Sequence, residues 1–266
     1  MRAIAAGATD VGRERDHNED RFVLLPEFGV FAVADGMGGH QCGEVASRMA
    51  TTTIAGYFRA HPTGDRDGQA VAELLRAALI EANEKIHRRA SQSRGHRGMG
   101  TTVVAAALHR GEEKLCVAHA GDSRCSRLRD DQLVPLTRDH SLLQEALRSR
   151  PDISESELSY LPTNVITRAL GVEPTIEIDV AVHDIRLGDL FLLCSDGLHG
   201  MVPDERIAQI LRETKVLTEI CSRLIAAANT AGGGDNITAV LVRIEQADDP
   251  WAHPASVPPP PSGTML

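Results

Sequence analysis

The 266-residue sequence predicts an α+β domain whose sheets carry helices on their outer faces. Two observations carry that prediction. The elements come in segregated blocks: strands, two helices, strands, two more helices, a closing strand. Regular βαβ alternation, the mark of a doubly wound parallel sheet, is absent. The chain is also long enough to bury roughly three quarters of the surface its unfolded form exposes, so one sizeable core is possible. No repeat appears at solenoid periods.

Short apolar runs bounded by turn residues predict strands at 4–11, 21–25 and 29–34. Helical spacing follows. Val45, Met49, Ile54, Tyr57 and Phe58 mark a helix over 44–58, and Val71, Leu74, Leu75, Ala78, Leu79, Ala82 and Ile86 mark a second. Strands are expected at about 101–109, 113–120, 123–129 and 132–136. Ile176, Ile178, Val180 and Val182 alternate with polar or small neighbours and predict a strand with one wet face. Leu190 to Cys194 is a short buried run. Two helices are expected next, the second marked by Leu217, Ile220, Cys221, Leu224, Ile225 and Ala228. Ile237 to Ile244 closes the domain as a strand.

Two segments fall outside this pattern. Asp139 to Gly171 is polar, holds Pro151 and Pro162, and contains two possible capping boxes, Ser141-x-x-Gln144 and Ser154-x-x-Glu157. It reads as a mobile insertion with short helices, a lid beside a site. Residues 247–266 contain six of the thirteen prolines and the only tryptophan, so they read as a disordered, Pro-rich tail. The folded domain is then 1–246.

Composition excludes several classes. A net charge of -9 gives no basic footprint for nucleic acid. No run approaches the ~20 apolar residues of a membrane span, and the first residues lack a signal-peptide core. Five cysteines with no C-x-x-C pair read as reduced, buried thiols. The expected location is the cytoplasm.

Carboxylates recur where strands end. Phe31 to Ala34 runs into Asp35-Gly36, and Phe191 to Ser195 into Asp196-Gly197; Val117 to Gly121 runs into Asp122. Asp235 leaves a run of three glycines, and Glu19-Asp20 precedes a strand. A single Asp-Gly is an ordinary turn. A set of acids at rigid strand ends would repel unless a cation lay between them. The candidate ligands Glu19, Asp20, Asp35, Asp122, Asp196 and Asp235 offer only oxygen, which favours Mg²⁺ or Mn²⁺ over Zn²⁺. Paired ions clamp phosphoryl oxygens and activate water near neutral pH. Arg15 lies four residues before Glu19, which would put both side chains on one face if the segment is extended, and its guanidinium suits a phosphate. Gly98 to Thr102 and the three glycines at 232–234 lack the lysine and the spacing of nucleotide-binding loops and read as tight turns.

With these residues in view, the sequence resembles the metal-dependent protein serine/threonine phosphatases (PPM, protein phosphatase type 2C) in their bacterial form. The matching stretches, in order, begin with Thr9-Asp10-Val11-Gly12, Arg15, Asn18-Glu19-Asp20 and Ala34-Asp35-Gly36-Met37-Gly38-Gly39. Gly98 to Thr102, Ala120 to Arg124, Leu136 to Ser141 and Asn164 to Gly171 follow. Ser195 to Leu198 and Gly234 to Thr238 complete the set. The resemblance implies a four-layer α/β/β/α sandwich of two antiparallel sheets, with metals at one edge. It implies Asp35 as the bridge between two Mn²⁺ or Mg²⁺ ions, helped by the Gly36 carbonyl. Asp196 and Asp235 would hold the first ion, and Glu19 and Asp20 the second, largely through water. Asp122 with Asp196 would hold a third. Arg15 would hold the substrate phosphate, and residues 141–164 would form the family's flap, which contacts substrate protein. The implied reaction is hydrolysis of phosphoserine and phosphothreonine by a metal-bridging hydroxide attacking in line. The implied partners are phosphoproteins and an opposing kinase, with the chain itself a monomer.

One position departs from many eukaryotic members, which place a histidine directly after the Asp-Gly as the acid for the leaving oxygen. Here it is Met37, and His40 does not match. His119, His140 and His199 are expected in structural roles. Two other readings are a metal-binding pseudophosphatase acting as a regulatory module and a phosphatase of small metabolites. The intact acid set weighs against the first, and the flap against the second.

Overall fold

The computed structural model describes residues 1–246, except 39–41, 65, 93, 110, 112, 151, 159, 163 and 164. The expected tail and His40 lie outside the described residues.

Among the described residues, eleven strands and seven α-helices follow one another, in the order the sequence suggested but for one short helix, α5. They are β1 (Arg2–Asp10), β2 (Asp20–Leu25), β3 (Val30–Met37), α1 (Cys42–Ala60), α2 (Gly68–Gln92), β4 (Gly100–Thr101), β5 (Val103–His109), β6 (Lys114–Ala120), β7 (Arg124–Arg129) and β8 (Gln132–Pro135). Then come α3 (Leu142–Ser149), α4 (Glu155–Leu158), β9 (Asp179–Asp184), β10 (Leu190–Cys194), α5 (Asp196–His199), α6 (Asp204–Glu213), α7 (Leu217–Thr230) and β11 (Ile237–Glu245).

The strands form two sheets, in the orders β1-β11-β10-β7-β8 and β2-β3-β5-β6-β9, with β4 on the end of β3. Every pairing along them is antiparallel. The long closure is β1 on β11, in register from Arg2 opposite Glu245 to Asp10 opposite Ile237.

Strand periodicity explains the layering. On β3, Val30, Ala32 and Ala34 face the core formed with α1 and α2, while Phe31 and Val33 face the space between the sheets. On β11, Ile237, Ala239 and Leu241 face α5, α6 and α7, while Val240, Val242 and Ile244 face inward. Both faces of these strands are covered, so they read as continuous apolar runs rather than alternating ones. Phe31 and Phe191 are fully buried in the middle layer. Burying each stabilises the fold by about 1.5–3 kcal/mol. The result is the expected four-layer sandwich.

The helices supply matching stripes. Ala46, Ala50, Ile54 and Phe58 line one face of α1, and Val71, Leu75, Ala78, Leu79, Ala82 and Ile86 one face of α2.

Three details differ from the sequence reading. The run expected at 101–109 breaks at Thr102 into β4 and β5, because Thr102 turns its backbone N–H to Asp35 O (2.8 Å). The strand expected over Ile176 to Val182 lies further on, as β9. Ile176, Ile178 and Val180 pack on the helix-side core as the alternation expected, whereas Val182, on the same face opposite Cys116, is 40% exposed because β9 is an edge strand. A short helix, α5, precedes the two expected helices. The insertion holds α3 and α4 as expected. Ser141 Oγ accepts from Gln144 N (3.3 Å), and Ser154 and Glu157 cap each other in both directions.

Candidate metal centre at the sandwich edge

The strand ends deliver their acids to one edge. Asp20 opens β2 directly opposite Asp35 near the end of β3, a spacing of about 5 Å between Cβ atoms. The other sheet is tied to this pair by Ser195, which follows β10. Its hydroxyl donates to Asp20 Oδ2 (2.7 Å) and accepts from Thr238 N (2.9 Å). Asp196, the next residue, opens α5 and acts on both Asp20 and Asp35 electrostatically. Asp122 follows β6 and adds to the field on Asp35. Its backbone carbonyl accepts from His199 Nε2 (3.0 Å), and the adjacent Ser123 hydroxyl bonds Thr102 (2.7 Å).

Asp235 precedes β11 and pairs with Arg15 Nη2 at 2.7 Å. The guanidinium is about half exposed and feels Asp235, Glu19 and Asp196 together. Glu19 reaches the backbone N–H groups of Gly43 and Glu44 at the start of α1.

Two glycines make the approach possible. A Cβ on Gly36 would stand 2.1 Å from Gly43 O and 2.7 Å from Glu19 O; one on Gly197 would stand 2.0 Å from Asn236 O. No larger residue fits either place without moving backbone.

The electrostatics are those of acids lacking their counter-charge. Burial, then the charges of Asp20, Asp196 and Asp122, push the Asp35 carboxyl well above its ordinary value. Burial raises Asp20 to about 7, with Asp196 adding to the effect. Burial and Asp196 likewise raise Asp122 to about 7. Glu19 is also raised, mainly by burial. Four carboxylate oxygens are buried without a hydrogen-bond partner: Glu19 Oε1, Asp20 Oδ1, Asp122 Oδ1 and Asp196 Oδ1. Orphaned anionic acceptors are costly unless something positive satisfies them. An all-oxygen donor set of this kind suits a hard divalent cation. The residues present therefore fit the metals that the resemblance implied.

All seven side chains singled out in the sequence, together with Gly36, meet at this edge. Sequence reasoning assigned no role to the residues that hold them there. Asn236, nearly buried, accepts from Glu19 N (2.7 Å) through Oδ1 and donates through Nδ2 to Val11 O (2.8 Å) and His17 O (2.9 Å). It pins the loop that carries Arg15. Ser195 links the sheets. Both lie beside a signalled acid, within the stretches that carry the family resemblance.

A second group, His119, His140 and Asp179, also has possible ligand atoms within 4.8 Å of one another. Its hydrogen bonds fill the nitrogens a metal would need. His140 Nδ1 accepts from Gly121 N (3.1 Å), which leaves its proton on Nε2, facing Asp179 at 3.3 Å. His119 Nε2 bonds Arg138 O (2.8 Å), and the two rings stack at 4.6 Å. Burial lowers both imidazole pKa values. The pair serves as packing, as expected for these histidines.

The model of the family described as protein phosphatase 2C matches residues 12–232, a span that runs from the loop before Arg15 to the glycines before Asp235. The chain belongs to the protein phosphatase 2C family. It is 38% identical over 237 residues to the serine/threonine phosphatase stp of Listeria innocua, covering 88% of this chain and 93% of that one. It is 35% identical over 243 residues to protein phosphatase PhpP of Streptococcus pneumoniae, covering 90% and 97%. Among solved structures, the Mycobacterium tuberculosis serine/threonine phosphatase PstP/Ppp superposes with a TM-score of 0.82 at 34% identity, covering 92% of this chain and 100% of that one. A PstP catalytic domain in complex with two manganese ions superposes with a TM-score of 0.80, also at 34% identity, covering 92% and 99%. The two-sheet sandwich is the fold these proteins share with this chain.

Proposed function

We propose that this chain is a metal-dependent protein serine/threonine phosphatase that hydrolyses phosphoserine and phosphothreonine in proteins. The observation that carries the reading is the set of four orphaned, buried carboxylate oxygens on Glu19, Asp20, Asp122 and Asp196, gathered around Asp35.

Asp35, Asp196 and Asp235 would hold one Mn²⁺ or Mg²⁺. Asp35 and the Gly36 carbonyl, with Glu19 and Asp20 behind them, would hold a second, and Asp122 with Asp196 a third. When bound, the ions neutralise the phosphoryl charge and make water acidic enough to attack near neutral pH. Arg15 leaves Asp235 and forks onto two phosphate oxygens. Ser195 and Asn236 keep Asp20 and the Arg15 loop in place, so the acids lose little freedom on binding phosphate. Met37 has no proton to give, so the leaving alkoxide takes its proton from water. Residues 141–164 act as the flap over the substrate protein.

The five free, buried cysteines suit a reducing compartment, and we place the protein in the cytoplasm as a monomer, opposing a serine/threonine kinase. No described helix is long and apolar enough to cross a membrane. The test is Mn²⁺-dependent hydrolysis of a phosphothreonine peptide by the purified protein. Turnover that vanishes on chelation and returns with Mn²⁺ is the expected result; absence of turnover with either metal would overturn the reading.

A further inference from the structure

We propose that His199 is a positioning residue for the third ion: it ties the backbone of Asp122 to the short helix that carries Asp196, and so sets the gap between the two carboxylates that would share that ion. The proposal rests on the phosphatase reading above and gives a task to a residue which that reading leaves idle.

Asp122 stands in the crossover 121–123, which leaves β6 in one sheet and enters β7 in the other. The strand pairing stops at Ala120 on one side and resumes at Arg124 on the other, so side chains must fix the residues between. The flanks of Asp122 are tied back towards β5 and the 139–140 segment. Gly121 turns at φ +113° and exchanges two hydrogen bonds with His140, one through the His140 N–H (2.9 Å) and one through its Nδ1 (3.1 Å). The Ser123 hydroxyl bonds that of Thr102 (2.7 Å). Asp122 itself is held from the opposite sheet. His199 Nε2 lies 3.0 Å from the Asp122 carbonyl oxygen. A carbonyl only accepts, so Nε2 carries the proton and donates it.

His199 closes α5, the helix that Asp196 opens. Three residues apart on a helix, the two side chains share one face. The Gly200 N–H returns to Asp196 O (2.7 Å) and the Val202 N–H to Leu198 O (2.9 Å), and Leu198 is fully buried against the α6 and α7 core. Asp196 and His199 therefore form one rigid unit, which offers Asp122 a carboxylate and a hydrogen-bond donor together. Asp122 Oδ1 and Asp196 Oδ1 are both buried without a partner. Like charges held this close push apart until a cation joins them. The His199 hydrogen bond opposes that separation and keeps the pair spaced for an ion. A group that orients a ligand without touching the metal commonly changes metal affinity by about ten- to hundredfold.

Equilibrium dialysis of the whole chain against Mn²⁺ counts the ions and gives their affinities. The wild type is expected to bind two ions tightly and a third more weakly. H199A should weaken the third by about ten- to hundredfold and leave the two tight ions in place. H199Q, whose side-chain amide can donate to the same carbonyl, should recover the wild-type affinity. H199L fills the space but donates nothing, and should behave as H199A does. The Mn²⁺ concentration that half-saturates p-nitrophenyl phosphate turnover should shift in the same order. A third-ion affinity that stays at the wild-type value in H199A would overturn the proposal. So would recovery in H199L equal to that in H199Q, because His199 would then be only a space-filler. Loss of the two tight ions in H199A, or a wild type that binds only two, would overturn it as well. A wild type that binds Mn²⁺ yet hydrolyses no phosphothreonine peptide would instead overturn the phosphatase reading.

Discussion

Asp35 and Asp20 stand opposite each other across two strands, and Asp196 acts on both. Like charges at that spacing are tolerable in a folded protein only when protonated or bridged. Each side chain then has a separable task. Asp35→Asn or Asp196→Asn removes a charge from the bridge and is expected to lower Mn²⁺-dependent hydrolysis of p-nitrophenyl phosphate by about a thousandfold or more, the scale of electrostatic contributions of this kind. Wild-type rates in either variant would refute the site. Arg15→Ala is expected mainly to raise KM, because it removes a contact made in ground state and transition state alike. An unchanged KM with a lower kcat would assign Arg15 to the transition state alone. Asp122→Asn is expected to slow turnover while two metals stay bound, which metal analysis of the purified variant would read directly.

Strands and helices set how closely these side chains meet. The carbonyl of Gly43, at the start of α1, lies where a Gly36 Cβ would be, so β3 and α1 touch through backbone. Gly36→Ala is expected to push them apart and to weaken metal binding along with thermal stability; a variant with unchanged melting temperature and metal affinity would show that the contact is not needed. This level is also where the sequence was most and least informative. Strands covered on both faces, such as β3 and β10, announce themselves as apolar runs, and their terminal acids were legible for that reason. β9 was misplaced because Ile176 and Ile178 belong to the approach to the strand, while edge position exposes Val182. α5 was missed because four residues give no periodicity to read. The roles of Ser195 and Asn236 were illegible because their partners lie 175 residues away at Asp20 and 217 away at Glu19. Only the fold reveals such pairs.

For the whole molecule, the cluster couples metal, protons and stability. Without metal, Asp20 and Asp122 hold protons up to about pH 7, against an ordinary value of 3.8. A carboxyl with a raised folded pKa costs stability once pH exceeds its unfolded value, because the folded state must lose a proton it prefers to keep. Metal takes the place of those protons and binds better as they leave. The rise in melting temperature that Mn²⁺ gives over chelator should therefore grow between about pH 6 and 8. A difference that stays flat or shrinks would contradict the coupling. The comparison with chelator at each pH cancels the buried histidines, whose lowered pKa values favour the folded state as pH rises whether or not metal is present. The middle layer offers a control remote from charge: Phe31→Ala should cost about 3–5 kcal/mol by denaturant unfolding, with or without Mn²⁺. What remains is to locate the ions themselves. Anomalous diffraction at the manganese edge, from crystals grown with Mn²⁺, should show peaks on either side of Asp35, within reach of Asp196 and Asp235, with a weaker one by Asp122. Peaks confined to His119, His140 and Asp179, or none near Asp35, would contradict the assignment.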